Sequence, residues 1–174
     1  RLPILYVSHS VPEVLRLATT VVLMRQGRVT HAGPLAGILA DPDLAPELGA
    51  REAGALIRGR VLGRDPDGLS RVATSGGTML LPGLDLAPGH ELRLRIWAHE
   101  VILSREAPRG LSALNVLPAR VLQIRDGLVQ LALGNERMLA RVTPRSVRAL
   151  DVRPDTTCHA IVKSVSVLPS GGSV

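Results

Sequence analysis

Phenylalanine is absent from this chain of 174 residues, and one tryptophan and one tyrosine bring the aromatic fraction to only 1%. Any core must therefore be aliphatic, and a surface that stacks nucleic-acid bases on aromatic rings has nothing to be built from. The formal charge of +6 raises the question of nucleic acid all the same. The arginines, however, are scattered singly from Arg1 to Arg153 without a dense basic run, which argues for a solvated basic surface and no nucleic-acid partner. Cys158 is the single cysteine, so no internal disulfide can form, and a buried structural thiol is a better reading than a nucleophile. No apolar run approaches the roughly 18 residues of a membrane helix, and no signal peptide is visible. A cytoplasmic chain is expected. No group of His, Cys and Asp has metal-ligand spacing, so no metal is expected. Lysine is nearly missing too: Lys163 stands alone among many arginines.

What is present is punctuation. Pro and Gly, 13 and 17 residues, break the chain into short Val/Leu/Ile-rich runs. Small aliphatic modules of this kind hold only about 3–5 kcal/mol of net core stability, which makes association their usual remedy. Residues 2–7 read as a strand and Ser8-His9-Ser10 as a polar loop. A helix follows from Pro12 after a Ser10 cap. Runs 20–24 and 28–32 flank Gln26-Gly27 as a hairpin, and 34–39 as a short helix. Residues 45–57 read as a helix-compatible linker, and from Arg58 the pattern turns almost wholly to short strands with turns at Asp65-Pro66-Asp67-Gly68 and Gly76-Gly77.

The first part carries a resemblance. Val7-Ser8-His9-Ser10, Glu13, the hairpin Val21-Val22-Leu23-Met24-Arg25-Gln26-Gly27-Arg28-Val29 and Gly33-Pro34 are similar to the end of an ABC-transporter ATPase domain. The resemblance implies that His9 corresponds to the switch histidine that contacts the γ-phosphate, a role only in a full-length context. No Gly-x-x-x-x-Gly-Lys-Ser/Thr loop is present to cradle phosphates. This chain alone is therefore not expected to hydrolyse ATP, and ATP is a ligand only of a full-length protein. Because Arg1 already lies inside an apolar strand pattern, the chain is expected to be a piece of something longer.

The remainder repeats itself. Arg60-Val61-Leu62 corresponds to Arg120-Val121-Leu122, Asp67-Gly68-Leu69 to Asp126-Gly127-Leu128, and Thr78-Met79-Leu80 to Arg137-Met138-Leu139, at an offset of about 60 residues. The expected fold is mainly β: two OB-like five-stranded β-barrels after a truncated α/β remnant. The boundaries are 1–44 for the remnant, 45–57 for the linker, 58–110 for the first barrel and 111–174 for the second.

Two stretches of the second repeat combine small hydroxyl residues with alternating apolar ones: Ser112-Ala113-Leu114-Asn115 and Val162-Lys163-Ser164-Val165. If strands bring them together, one ammonium and several O–H and N–H donors face a common point. Such a set suits a tetrahedral dianion such as molybdate. Taken singly, Ser164 and Ser166 also fit the solvated face of an edge strand, and Lys163 a strand-edge gatekeeper. In order and spacing, these stretches together with Ala140-Arg141-Val142-Thr143-Pro144-Arg145-Ser146 resemble a Mop-type (TOBE-like) molybdate-binding domain. An ATPase tail followed by such a domain resembles the ATP-binding subunit of a molybdate ABC importer. The resemblance implies molybdate ligands at Ser112, Ala113, Thr143, Ser146, Lys163 and Ser164, with tungstate or sulfate of similar shape, and no covalently bound cofactor. It also implies a homodimer through the C-terminal barrels, membrane permease subunits as partners, and a peripheral position at the cytoplasmic face of the inner membrane. One departure stands out: Leu114 occupies the place of a family arginine, and losing a charge-assisted hydrogen bond costs about 1.5–3 kcal/mol. The competing expectation is a β-barrel dimerisation and spacing module that has lost its ligand.

Overall fold

The computed structural model describes residues 4–49 and 51–169. Of the first expected strand, Leu2 and Pro3 lie outside these. Residues 4–7 belong to no strand, and Ile4, Leu5 and Val7 stand almost fully exposed. Helix α1 (Val11–Leu17) carries proline in its first turn as expected. The Ser10 hydroxyl does not cap it; instead the Ser10 amide donates to Ser8 Oγ at 3.0 Å. Strands β1 (Thr20–Arg25) and β2 (Arg28–Pro34) pair as the predicted hairpin. Gln26 and Gly27 take φ of 51° and 75°, the left-handed pair a tight two-residue turn requires. Two short helices follow, α2 (Leu35–Leu39) and α3 (Ala45–Leu48). Leu15, Leu35 and Leu39 close against Leu56 and seat this N-terminal part on the β region.

Strand β3 (Gly54–Arg64) begins inside the segment read as linker. Helix-friendly Ala and Leu at 55–56 are overridden by pairing with β6 (Glu91–Trp97), where Ala55 lies opposite Ile96 and both are buried. With β4 (Ser70–Thr74) and β5 (Gly77–Leu81), these strands form most of the first sheet. A 3-10 turn at Ala98–Glu100 leads to β7 (Val101–Ser104). The second sheet repeats the series with β8 (Asn115–Arg125), β9 (Leu128–Leu133), β10 (Glu136–Arg141) and β11 (Thr157–Val162). Helix α4 (Pro144–Ala149) lies between the last two, and β12 (Ser166–Pro169) is the last strand among the described residues.

Sequence reading gives each repeat its own five strands; the structure exchanges the fifth. The orders are β12-β6-β3-β4-β5 and β10-β9-β8-β11-β7, all antiparallel, so β7 of the first repeat edges the second sheet and β12 of the second edges the first. The fold is mainly β, with both sheets curled in OB-like fashion. Their inner faces share one aliphatic core that runs from Ile57, Val72 and Met79 to Leu131, Met138 and Val162. The two-residue turns of the repeats also meet: Ser75 Oγ donates to the Leu133 carbonyl at 3.0 Å, beside Gly134. Exchange and shared core make the two repeats one packing unit.

Candidate functional site

In the second sheet Val162 lies opposite Asn115, the last registered pair of β11 and β8. The segments 112–114 and 163–164 therefore leave the sheet at the same end of adjacent strands. Ser112 and Ala113 precede β8 at the end of the sheet where Lys163 and Ser164 follow β11. The Lys163 amide donates to the Glu100 carbonyl at 3.0 Å and holds the backbone there. Its side chain is exposed and makes no ion pair among the described residues. Ser112 and Ser164 are exposed as well, and Ala113 is half-buried. This end of the sheet thus presents an ammonium, two hydroxyls and strand-end amides to solvent.

Thr143 and Ser146 lie elsewhere. β10 is antiparallel to β9 and β9 to β8, so β10 runs with β8 and ends at the opposite end of the sheet from Ser112. There Thr143 caps α4: its Oγ1 accepts from the Ser146 amide at 3.1 Å and lies 2.9 Å from Ser146 Oγ. Within one chain the six expected ligand positions therefore fall into a group of four and a group of two.

Asn115, the first residue of β8, also bridges the two sheets. Its Oδ1 accepts from the Leu80 amide at 2.7 Å, and its Nδ2 donates to the Leu80 carbonyl at 3.1 Å. The amide mimics a strand partner and ties the mouth of the site to β5 of the other sheet. Arg95 was invisible to sequence reading because it resembles the scattered surface arginines. It is 1% exposed, bonded to the backbone carbonyls of Glu52 and Ala55, within 3.6 Å of the Glu52 carboxylate and 5.4 Å from the Trp97 ring. Burial lowers its pKa, and Glu52 opposes that shift. The signal available was its place on β6: Leu92, Leu94 and Ile96 face the core, so 93, 95 and 97 lie on the other face of the sheet.

His9 is exposed at the entry to α1. Beside it, Ser8 and Tyr6 donate to Glu13 Oε2 at 2.7 and 2.9 Å. These bonds hold the Glu13 carboxyl below the usual carboxylate range, and the same carboxylate raises the Tyr6 phenol. Among the described residues no cluster of three His, Cys, Asp or Glu side chains is placed to hold a metal, and no helix is long and apolar enough to cross a membrane.

The family model of the TOBE domain matches residues 111–169, the stretch from the Ser112 segment through β12. The match is confined to residues 111–169. The molybdenum import ATP-binding protein ModC of Rhizobium johnstonii is 43% identical over 172 residues, covering 95% of this chain and 48% of that protein. The ModC proteins of Rhizobium meliloti and Paramagnetospirillum magneticum are 43% and 41% identical over similar spans. This chain therefore matches the C-terminal part of ModC, and it spans about half the length of these curated relatives. The crystal structure of the cytoplasmic molybdate-binding protein ModG, with molybdate bound, superposes with a TM-score of 0.55 at 25% identity, covering 66% of this chain and 94% of that one. The stretch that this model matches supplies all but one strand of the second sheet, and the outlying β7 comes from the preceding repeat.

Proposed function

We propose that this chain is the molybdate-binding C-terminal portion of the ATP-binding subunit of a molybdate importer. The observation that carries the reading is the register of β8 and β11, whose last pair, Asn115 and Val162, lets the Ser112-Ala113 and Lys163-Ser164 segments leave the same end of the sheet within the stretch that the TOBE model matches. A doubly charged tetrahedral ion needs donors on several sides and one or two positive charges, and these residues supply them. In one chain the group is open to water, where Coulomb attraction is weak. A second copy, contributing Thr143 and Ser146 from the far end of its own sheet, encloses the ion and removes that water. The site thereby accounts for the division of the six residues into two groups, and the assembly is a homodimer through the C-terminal sheets. Molybdate is the ligand, with tungstate and sulfate as competitors of like shape.

In the full-length protein the exposed His9 acts as the switch histidine of ATP hydrolysis, and permease subunits at the cytoplasmic face of the membrane are its partners. Molybdate then shifts the arrangement of the paired sheets by as much as its affinity differs between arrangements. Isothermal titration tests the site: saturable molybdate binding is expected, weakened about tenfold or more by Lys163→Ala with Ser164→Ala. Unchanged affinity in that double variant sinks the assignment.

A second reading has one specific observation behind it. Leu114 is 57% exposed where the family places an arginine, and a chain that has lost this ligand serves association alone. Under this reading the protein dimerises without any response to molybdate. If binding is retained, Leu114→Arg should strengthen it by one to two decades, about 1.5–3 kcal/mol of charge-assisted hydrogen bonding.

A further inference from the structure

A second anion-suited feature lies away from the strand ends. The outer face of the second sheet carries a cleft of about 400 Å³, with Arg105, Arg120, Thr157 and His159 around it and Pro118 and Ala132 among its apolar lining. Strand register builds it. Arg120 lies opposite both Thr157 and Ala132, and the adjoining row sets Pro118 opposite His159 and His159 opposite Ser104, with Arg105 next in sequence. Leu117, Ala119 and Val121 point into the core, which turns Pro118 and Arg120 outward.

Two features of this cleft are unspent, and a third is only weakly engaged. Arg105 makes no ion pair among the described residues. His159 Nδ1 is buried without a hydrogen-bond partner, an arrangement native proteins seldom leave unanswered. Arg120 does meet Asp155, at 2.5 Å, but their side chains are 51% and 80% exposed, so the pair is weak and a better acceptor displaces it. Two guanidinium forks and a hydroxyl match the several oxygens of a phosphate group more fully than one carboxylate does. The cleft is also larger than a bare tetrahedral ion, and its apolar lining has room for a carbon body.

We infer that this cleft binds a small phosphomonoester, its phosphate between Arg105 and Arg120 and its organic part against Pro118 and Ala132. The inference is independent of the molybdate site, because Arg120 lies mid-strand in β8 while Ser112 and Lys163 lie beyond the strand ends.

Titration of the full chain with phenyl phosphate and with inorganic phosphate tests it. Phenyl phosphate is expected to bind saturably and more tightly than inorganic phosphate. Arg105→Ala and Arg120→Ala should each weaken it at least about tenfold, whereas Lys163→Ala with Ser164→Ala should leave it unchanged. Both arginines are off the core, so circular dichroism of the variants should match the parent; phenyl phosphate should also move the His159 ring resonances of the parent. No saturable binding at millimolar concentration, binding that survives loss of both arginines, or binding lost with the Lys163 and Ser164 pair overturns the assignment. Equal affinity for the two phosphates overturns the part given to the apolar lining.

Discussion

The side-chain amide of Asn115 is hydrogen-bonded to both the N–H and the C=O of Leu80, at 2.7 and 3.1 Å, so a residue at the mouth of one sheet fills the ladder position of a strand in the other. This contact couples the two repeats at the end of the sheet where Lys163 stands.

Asn115→Ala leaves the half-buried Leu80 amide and carbonyl without these partners. Unsatisfied groups of this kind cost about 1–3 kcal/mol, and urea unfolding should show a loss in that range. A change of less than about 0.5 kcal/mol, the size of an ordinary surface substitution, means that the amide does not brace the sheets.

Gly134 sits at φ +56°, and a Cβ there would fall 2.0 Å from the Ser75 carbonyl oxygen. Backbone on both sides of the contact prevents easy relief, so Gly134→Ala should lower the thermal midpoint more than any exposed alanine substitution. Gly37, in α2 with open space around it, is the control. Gly37→Ala should be neutral or stabilise by about 0.4–1 kcal/mol through reduced freedom of the unfolded chain.

Arg95→Ala removes a buried cation that organises Glu52 and the start of β3. Breaking one partner of such a pair costs about 3 kcal/mol. Arg95→Met restores volume without charge and should recover part of that loss in the same urea titration, whereas equal losses from both variants would assign the effect to the charge alone.

Cys158 is 3% exposed; burial pushes its thiol pKa up, and Arg105 opposes the shift only partly. Iodoacetamide at pH 8 should therefore label the native chain at least about tenfold more slowly than the urea-unfolded chain. The sign of the linkage follows: with the folded pKa above the unfolded one, the neutral thiol's contribution to stability is complete below the ordinary thiol pKa and is lost as pH rises through the folded value. Rapid labelling of the native chain would place the thiol in solvent.

Much of the β architecture was legible because its signals are local. Gly76-Gly77 and Asp67-Gly68 marked turns, alternation of aliphatic residues marked the strands between them, and the repeated turn positions revealed the duplication. The pairing of the Ser112 and Lys163 segments was legible only through resemblance, since no local pattern says that β8 and β11 are neighbours. Arg95 was not legible: its burial depends on Glu52 and the start of β3 lying against it, a tertiary contact between residues about forty apart. The distance of Thr143 from Lys163 was hidden for a related reason, because it follows from counting strand directions across three ladders.

By itself the sequence determined which segments become strands, where they turn, and that hydroxyl residues and one lysine flank the two strands of the candidate site. Period-two burial and glycine-bearing turns are properties of neighbouring residues, so they are written locally. Only the tertiary structure decided that β7 and β12 exchange sheets. Val101-Ile102-Leu103-Ser104 and Ser166-Val167-Leu168-Pro169 are alike in aliphatic character, so either could edge either sheet. The choice rests on the path of the chain through Ala98–Glu100 and residues 163–165, and on a shared core that is complete only when both repeats are present.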